Sequence, residues 1–72
     1  MEKQKNWSFK EAFHQLPFNE MPIVRKEIES ALGIKSAPTW FNRLNGRIEP
    51  KISEYLAIQR IFKKRGIKAF KN

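Results

Sequence analysis

The chain has 72 residues, 40% of them apolar, and carries 15 lysines and arginines against seven acidic residues, for a net charge of +8. This length supports one small domain and excludes a large cleft between domains. Because there is no cysteine and only one histidine, His14, we expect no disulfide, no metal site, no cofactor, no small-molecule substrate and no enzyme activity.

The charge predicts a polyanionic partner, since +8 on a domain of this size produces a strong positive field. The apolar content is too high for a disordered basic tail. No apolar run approaches the roughly 20 residues that span a bilayer, and the polar opening residues do not resemble a signal peptide. We therefore expect a folded protein of the cytoplasm, associated with the nucleoid and without a membrane partner.

The chain divides into a polar N-terminal segment (1–6), a single domain (7–67) and a C-terminal tail (68–72). Lys3 and Lys5 in the first segment suit either a solubilising end or a basic arm that reaches along DNA. The first helix is predicted to begin at Ser8, because Glu11 follows at capping-box spacing, and to end at Pro17. Its apolar face contains Phe9, Ala12, Phe13 and Leu16.

A second helix is predicted from Asn19, a suitable N-cap, to Gly33, a residue type that commonly ends helices in the left-handed conformation. Pro22 fits its first turn, and Ile34 can fold back onto its last turn. The apolar residues at helical spacing are Val24, Ile28, Ala31 and Leu32. Only Lys35 separates Ile34 from the next good N-cap, so the second and third helices are joined by a turn of about four residues.

The third helix is predicted to follow Ser36 as its N-cap, to run from about Ala37 to Asn45 and to end at Gly46. Spacing at about 100° per residue places one group of residues on the core side, Ala37, Phe41 and Leu44, with Trp40 at its edge. The opposite arc contains Ser36, Thr39, Asn42 and Arg43. We expect this helix to pack against the core through its apolar side and to expose its polar residues to solvent as a ridge.

The fourth helix is predicted from about Lys51 to Arg65, ended by Gly66, with an apolar arc wider than one core face requires. That arc contains Ile52, Tyr55, Leu56, Ile58, Ile61 and Phe62. Two interpretations stay open: a central helix wrapped by its neighbours, or a dimer face that includes Tyr55, Ile58 and Ile61. Lys63, Lys64 and Arg65 suit either the negative end of the helix or contact with nucleic acid.

The order of these signals resembles the helix-turn-helix of the lambda-repressor/Cro type of DNA-binding domain. The resemblance rests on the segments 28–34 (IESALGI) and 39–46 (TWFNRLNG) followed by Pro50, and covers about two thirds of the chain. It implies a compact, all-α domain of four helices in which the turn at Gly33 joins the second helix to a recognition helix.

The polar ridge of the third helix supplies the candidate base-reading residues, because the major groove admits one helix and displays a distinct pattern for each base pair. These candidates are Ser36, Thr39, Asn42 and Arg43. The candidate phosphate contacts are Lys35, Arg47 and Lys51, extended by Arg25 and Lys26. Each could instead belong to an ordinary solvated face. We expect Trp40 in the core rather than against a thymine methyl group, and the other core candidates are Phe9, Phe13, Phe18, Phe41 and Phe62.

These observations predict a sequence-specific, double-stranded DNA-binding protein, a small transcriptional regulator that acts as a homodimer. Three alternatives stay open: an architectural protein that binds nucleic acid without reading bases, a protein-interaction module that modulates another regulator through the fourth helix, and an RNA-binding protein.

Overall fold

The computed structural model describes residues 7–70, which form four α-helices: α1 (Lys10–His14), α2 (Met21–Leu32), α3 (Ala37–Leu44) and α4 (Ile52–Lys63). A 3-10 turn, Phe18–Glu20, precedes α2, and residues 7–70 contain no β-strand. The radius of gyration is 11.6 Å, close to the about 11 Å expected for a compact chain of this length. The predicted compact all-α class is confirmed, while segment 1–6, with Lys3 and Lys5, lies outside the described residues.

The connection between α2 and α3 follows from its sequence. Gly33 has a φ of +69°, and its N–H donates to the carbonyl of Glu29. The N–H of Ile34 donates to the same carbonyl at 2.9 Å, and Ile34 is buried, as expected for a left-handed helix end. Ser36, three residues after Gly33, is the N-cap of α3, and its hydroxyl accepts the N–H of Thr39 at 3.4 Å.

The starts of the first two helices differ from the prediction. The N-cap of α2 is Glu20, and Asn19 lies in the preceding 3-10 turn. α1 is only five residues long, begins at Lys10 and has Phe9 as its N-cap. The Ser8 hydroxyl, just before this cap, donates to the carbonyl of Leu44 at 2.8 Å. The segment that leads into α1 is therefore tied to the end of α3.

Trp40 is the largest fully buried side chain and connects α3 to α1. Its ring meets those of Phe9 and Phe13 edge-on, with centroids 5.8 and 5.4 Å away. Leu44, one turn later on α3, is also buried. Trp40 thus lies at the centre of the inward face rather than at its edge.

Two phenylalanines predicted to be core residues are instead exposed. Phe41 is 48% exposed, because placing Trp40 inward rotates the next residue on the helix toward solvent. Phe18 is 88% exposed on the 3-10 turn before α2. The prediction was wrong for both residues. Phe9 and Phe62 are buried, and Phe13 packs against the core in a partly buried position.

The wide apolar arc of α4 is largely used by the domain itself. Ile58, Ile61 and Phe62 are buried, and the ring of Tyr55 stacks on Phe70 with centroids 4.7 Å apart. The dimer face suggested for Tyr55, Ile58 and Ile61 is therefore occupied by the chain's own core. The large apolar residues that α4 leaves exposed are Ile52 and Leu56.

The domain extends beyond its predicted end at Ile67. Ala69 and Phe70 are buried, and the Phe70 ring also meets Phe9 edge-on with centroids 6.3 Å apart. The segment after α4 thus returns over the core instead of forming a tail from residue 68.

Gly46 gives a direct test of the contact between the end of α3 and the segment before α1. It has a φ of +78°, and an added Cβ would lie 2.5 Å from the Ser8 nitrogen. Gly33 has a similar φ of +69° but open space at its Cβ. Urea unfolding should show that Gly33→Ala costs about 1–2 kcal/mol, the left-handed penalty, and that Gly46→Ala costs clearly more. Equal losses in the two variants would contradict the close approach.

Candidate nucleic-acid interface

The outward face of α3 is set by the residues that point inward. With Trp40 and Leu44 buried, a spacing of about 100° per residue places Pro38, Thr39 and Asn42 on the opposite side. Pro38 is exposed, while Thr39 and Asn42 are partly exposed. We call these three residues the α3 ridge. Two of the predicted base-reading residues, Thr39 and Asn42, therefore lie on the same outward face of α3.

Ser36 and Thr39 are linked through their hydroxyl groups. The Ser36 hydroxyl donates to the Thr39 Oγ1 at 3.0 Å while accepting the Thr39 N–H. Since a hydroxyl both accepts and donates, the Thr39 O–H can still donate to a ligand. Ser36 thus acts as a cap that orients Thr39 at the start of the ridge.

Asn42 is held from the loop that follows α3. Arg47 donates its backbone N–H to the Asn42 carbonyl at 2.9 Å and its Nη1 to the Asn42 Oδ1 at 3.3 Å. The Asn42 NH₂ group stays available as a donor, and Oδ1 has a second lone pair. Arg47, predicted to contact phosphate, is exposed and also orients the Asn42 amide.

Arg43 does not belong to the ridge. Its side chain is only 16% exposed, and its Nη1 and Nη2 donate to the two carboxylate oxygens of Glu54 at 3.0 and 3.3 Å. Such a bidentate pair uses the same guanidinium edge that would bind a guanine. In this structure Arg43 therefore joins α3 to α4 through a partly buried ion pair, and the guanidinium edge predicted to read a base is occupied by Glu54.

Glu54 connects this ion pair to the start of α4. Its Oε1 also accepts the backbone N–H of Lys51, the N-cap, at 2.9 Å. The pKa of the Glu54 carboxyl is lowered below its ordinary value, mainly by this backbone hydrogen bond and further by Arg43, against the opposing effect of burial. The Glu54 carboxylate thus caps the N-terminus of α4 and also holds the Arg43 side chain of α3.

The predicted phosphate contacts fall into different surroundings. Lys35 and Lys51 are exposed and form no ion pair within residues 7–70, so their charges are free to meet a ligand. Arg25 is paired with Glu29 at 2.9 Å and lies over the Trp40 ring. Lys26 is exposed and lines a groove between α2 and α4.

The basic residues at the end of α4 are partly used inside the domain. Arg65 pairs with Glu20 at 3.0 Å and donates to the Ile61 carbonyl at 3.4 Å, while Lys64 lies 3.8 Å from Glu27. These contacts favour the helix-end role for Arg65 over contact with nucleic acid. Lys63 is exposed and has no ion pair within the described chain.

Comparisons of the chain with protein-family models, with curated proteins and with solved structures give no match. Within residues 7–70, no helix is both long and apolar enough to cross a membrane.

The ion pair makes stability dependent on pH in a defined window. Because the pKa of Glu54 is lower in the folded state, its contribution is complete above the ordinary glutamate value of 4.5 and is lost as pH falls through the folded-state pKa. Glu54→Gln should cost about 1 kcal/mol at pH 7, and this difference from the unmodified protein should shrink toward pH 3. Urea unfolding across this range measures it, with Glu49→Gln, at an exposed loop position, as the control. A cost that does not change with pH would contradict the assigned role.

Proposed function

We propose that this protein binds double-stranded DNA in a sequence-specific manner as a small transcriptional regulator. In this proposal α2, the turn at Gly33 and α3 act as a helix-turn-helix, and α3 is the recognition helix. The observation that carries it is the α3 ridge: Thr39 and Asn42 lie outward, opposite the buried Trp40, and exposed cations stand near both ends of the helix.

The dimensions of α3 suit the major groove. An α-helix with its side chains is about 10–12 Å in diameter, and the major groove is about 12 Å wide and admits one helix. The eight residues of α3 give about two turns that can lie in it. The Asn42 amide can pair with the N6 and N7 atoms of adenine, since its NH₂ group is free and Arg47 holds its orientation. Thr39 supplies a hydroxyl one turn earlier.

The free cations near α3 supply affinity without sequence information. Lys35 directly precedes the N-cap of α3, and Lys51 directly precedes α4. Arg47 lies in the loop that joins α3 to α4. Binding of their charges to phosphates would release counterions and make affinity fall steeply with salt. These three contacts would set the position of the ridge in the groove.

A single copy of α3 reads few base pairs, so we propose that two copies bind together. Since Ile58 and Ile61 belong to the core, the exposed apolar residues of α4 available to a second copy are Ile52 and Leu56, one turn apart. A homodimer would require a binding site made of two inverted half-sites.

Selection of bound duplexes from a random pool tests this proposal. A sequence-specific dimer should enrich two inverted copies of one short sequence. Binding without any enriched sequence would instead identify an architectural protein, and failure to bind duplex DNA at low salt would exclude the proposed function.

Variants on the enriched duplex separate reading from positioning. Asn42→Ala should weaken binding by about 1–3 kcal/mol and relax the preference at one base pair in each half-site. Lys51→Gln should weaken binding to all duplexes about equally and flatten the dependence on salt. Lys63→Gln, which removes an exposed charge from the last turn of α4, is the matched control and should have the smaller effect. Fluorescence titrations at several salt concentrations measure all three, and equal effects of Lys51→Gln and Lys63→Gln would contradict the assigned face.

A further inference from the structure

Phe41 is an exposed aromatic side chain next to the α3 ridge. It is 48% exposed, whereas Trp40 beside it is 1% exposed. The core is complete without it, because α3 packs inward through Trp40 and Leu44. On a helix Phe41 follows Trp40 by about 100° and precedes Asn42 by the same angle. Its ring therefore stands at the border between the buried stripe and the ridge.

The position of the Phe41 ring is supported from α2. The guanidinium carbon of Arg25 lies 5.8 Å from the centre of the Phe41 ring and 5.0 Å from that of Trp40. The Arg25 Nε donates a hydrogen bond of 2.9 Å to the Glu29 carboxylate, which holds this guanidinium in place. A cation near an aromatic face is attracted by the ring, so Arg25 restrains Phe41 while leaving about half of its surface to solvent.

We propose that Phe41 is a specificity-determining residue that contacts the C5-methyl group of a thymine in the major groove. This inference rests on the proposed function. The thymine methyl is the apolar group that base edges display in this groove, and phenylalanine is one of the side chains that contact it. Because Asn42 is adjacent and suited to adenine, the thymine lies at or beside the base pair that Asn42 reads. Each half-site then contains at least one A·T pair.

The surroundings of Phe41 favour DNA over a protein partner. The exposed part of the ring borders polar Asn42 and the Arg25 guanidinium, and the chain carries a net charge of +8. Phe18 offers a contrast, since it is 88% exposed but lies on the 3-10 turn before α2, outside α3. It provides a control with the same side chain on a different element.

The test replaces thymine by deoxyuridine, one position at a time, in the duplex enriched from the random pool. Uracil differs from thymine only in lacking the C5-methyl group. For the unmodified protein, affinity should fall about threefold to tenfold at one position in each half-site. Phe41→Ala should bind thymine and uracil duplexes equally at that position, whereas Phe18→Ala should keep the difference. Thermal unfolding of both variants checks that the fold is retained.

The outcomes distinguish this inference from the function on which it rests. If a sequence is enriched but no uracil substitution weakens binding, or if Phe41→Ala keeps the full difference, the role of Phe41 is overturned and the proposed function stands. If no sequence is enriched, both fail. If Phe41→Ala instead lowers the mass of the free protein in sedimentation and leaves the thymine preference unchanged, Phe41 is a contact between protein chains and the inference is again overturned.

Discussion

Burial of the Trp40 indole between helices is the constraint on which the remaining structure depends. α3 is only eight residues long, and its buried residues are Trp40 and Leu44, so its rotation is set by where this one large ring fits. The rings of Phe9 and Phe13 form that place. Once Trp40 is inward, the positions of Thr39 and Asn42 opposite it follow from helix geometry.

The ion pairs within the domain determine which of its basic side chains are paired with a carboxylate and which are left unpaired at the surface. Glu20, Glu27, Glu29 and Glu54 each pair with an arginine or lysine at distances from 2.9 to 3.8 Å. Two of these pairs flank α3: Arg25 with Glu29 on the α2 side, and Arg43 with Glu54 on the α4 side. The carboxylates of Glu29 and Glu54 thus hold α3 in place, while Lys35 and Lys51 form no ion pair within residues 7–70. These two ion pairs stabilise the position of α3, and the positive charges near the ridge that no carboxylate of the described chain neutralises include those of Lys35 and Lys51.

Local signals in the sequence predicted the turn at Gly33, the cap at Ser36 and the all-helical class, because each depends on residues close in sequence. The rotation of α3 could not be predicted in the same way. Trp40 and Phe41 are adjacent apolar residues, and only the distant Phe9 and Phe13 decide which of them is buried. The pairing of Arg43 with Glu54 likewise joins residues eleven positions apart, although a glutamate three residues after an N-cap is a recognisable helix-start signal.

The most direct test of the account is an NMR measurement on the isotopically labelled protein bound to its enriched duplex. Intermolecular contacts should connect the Asn42 amide and the Phe41 ring to base protons of the major groove, while the Trp40 indole keeps its contacts to Phe9 and Phe13. Contacts confined to the last turn of α4, or a Trp40 indole that itself meets the bases, would show that α3 does not present the ridge assigned to it.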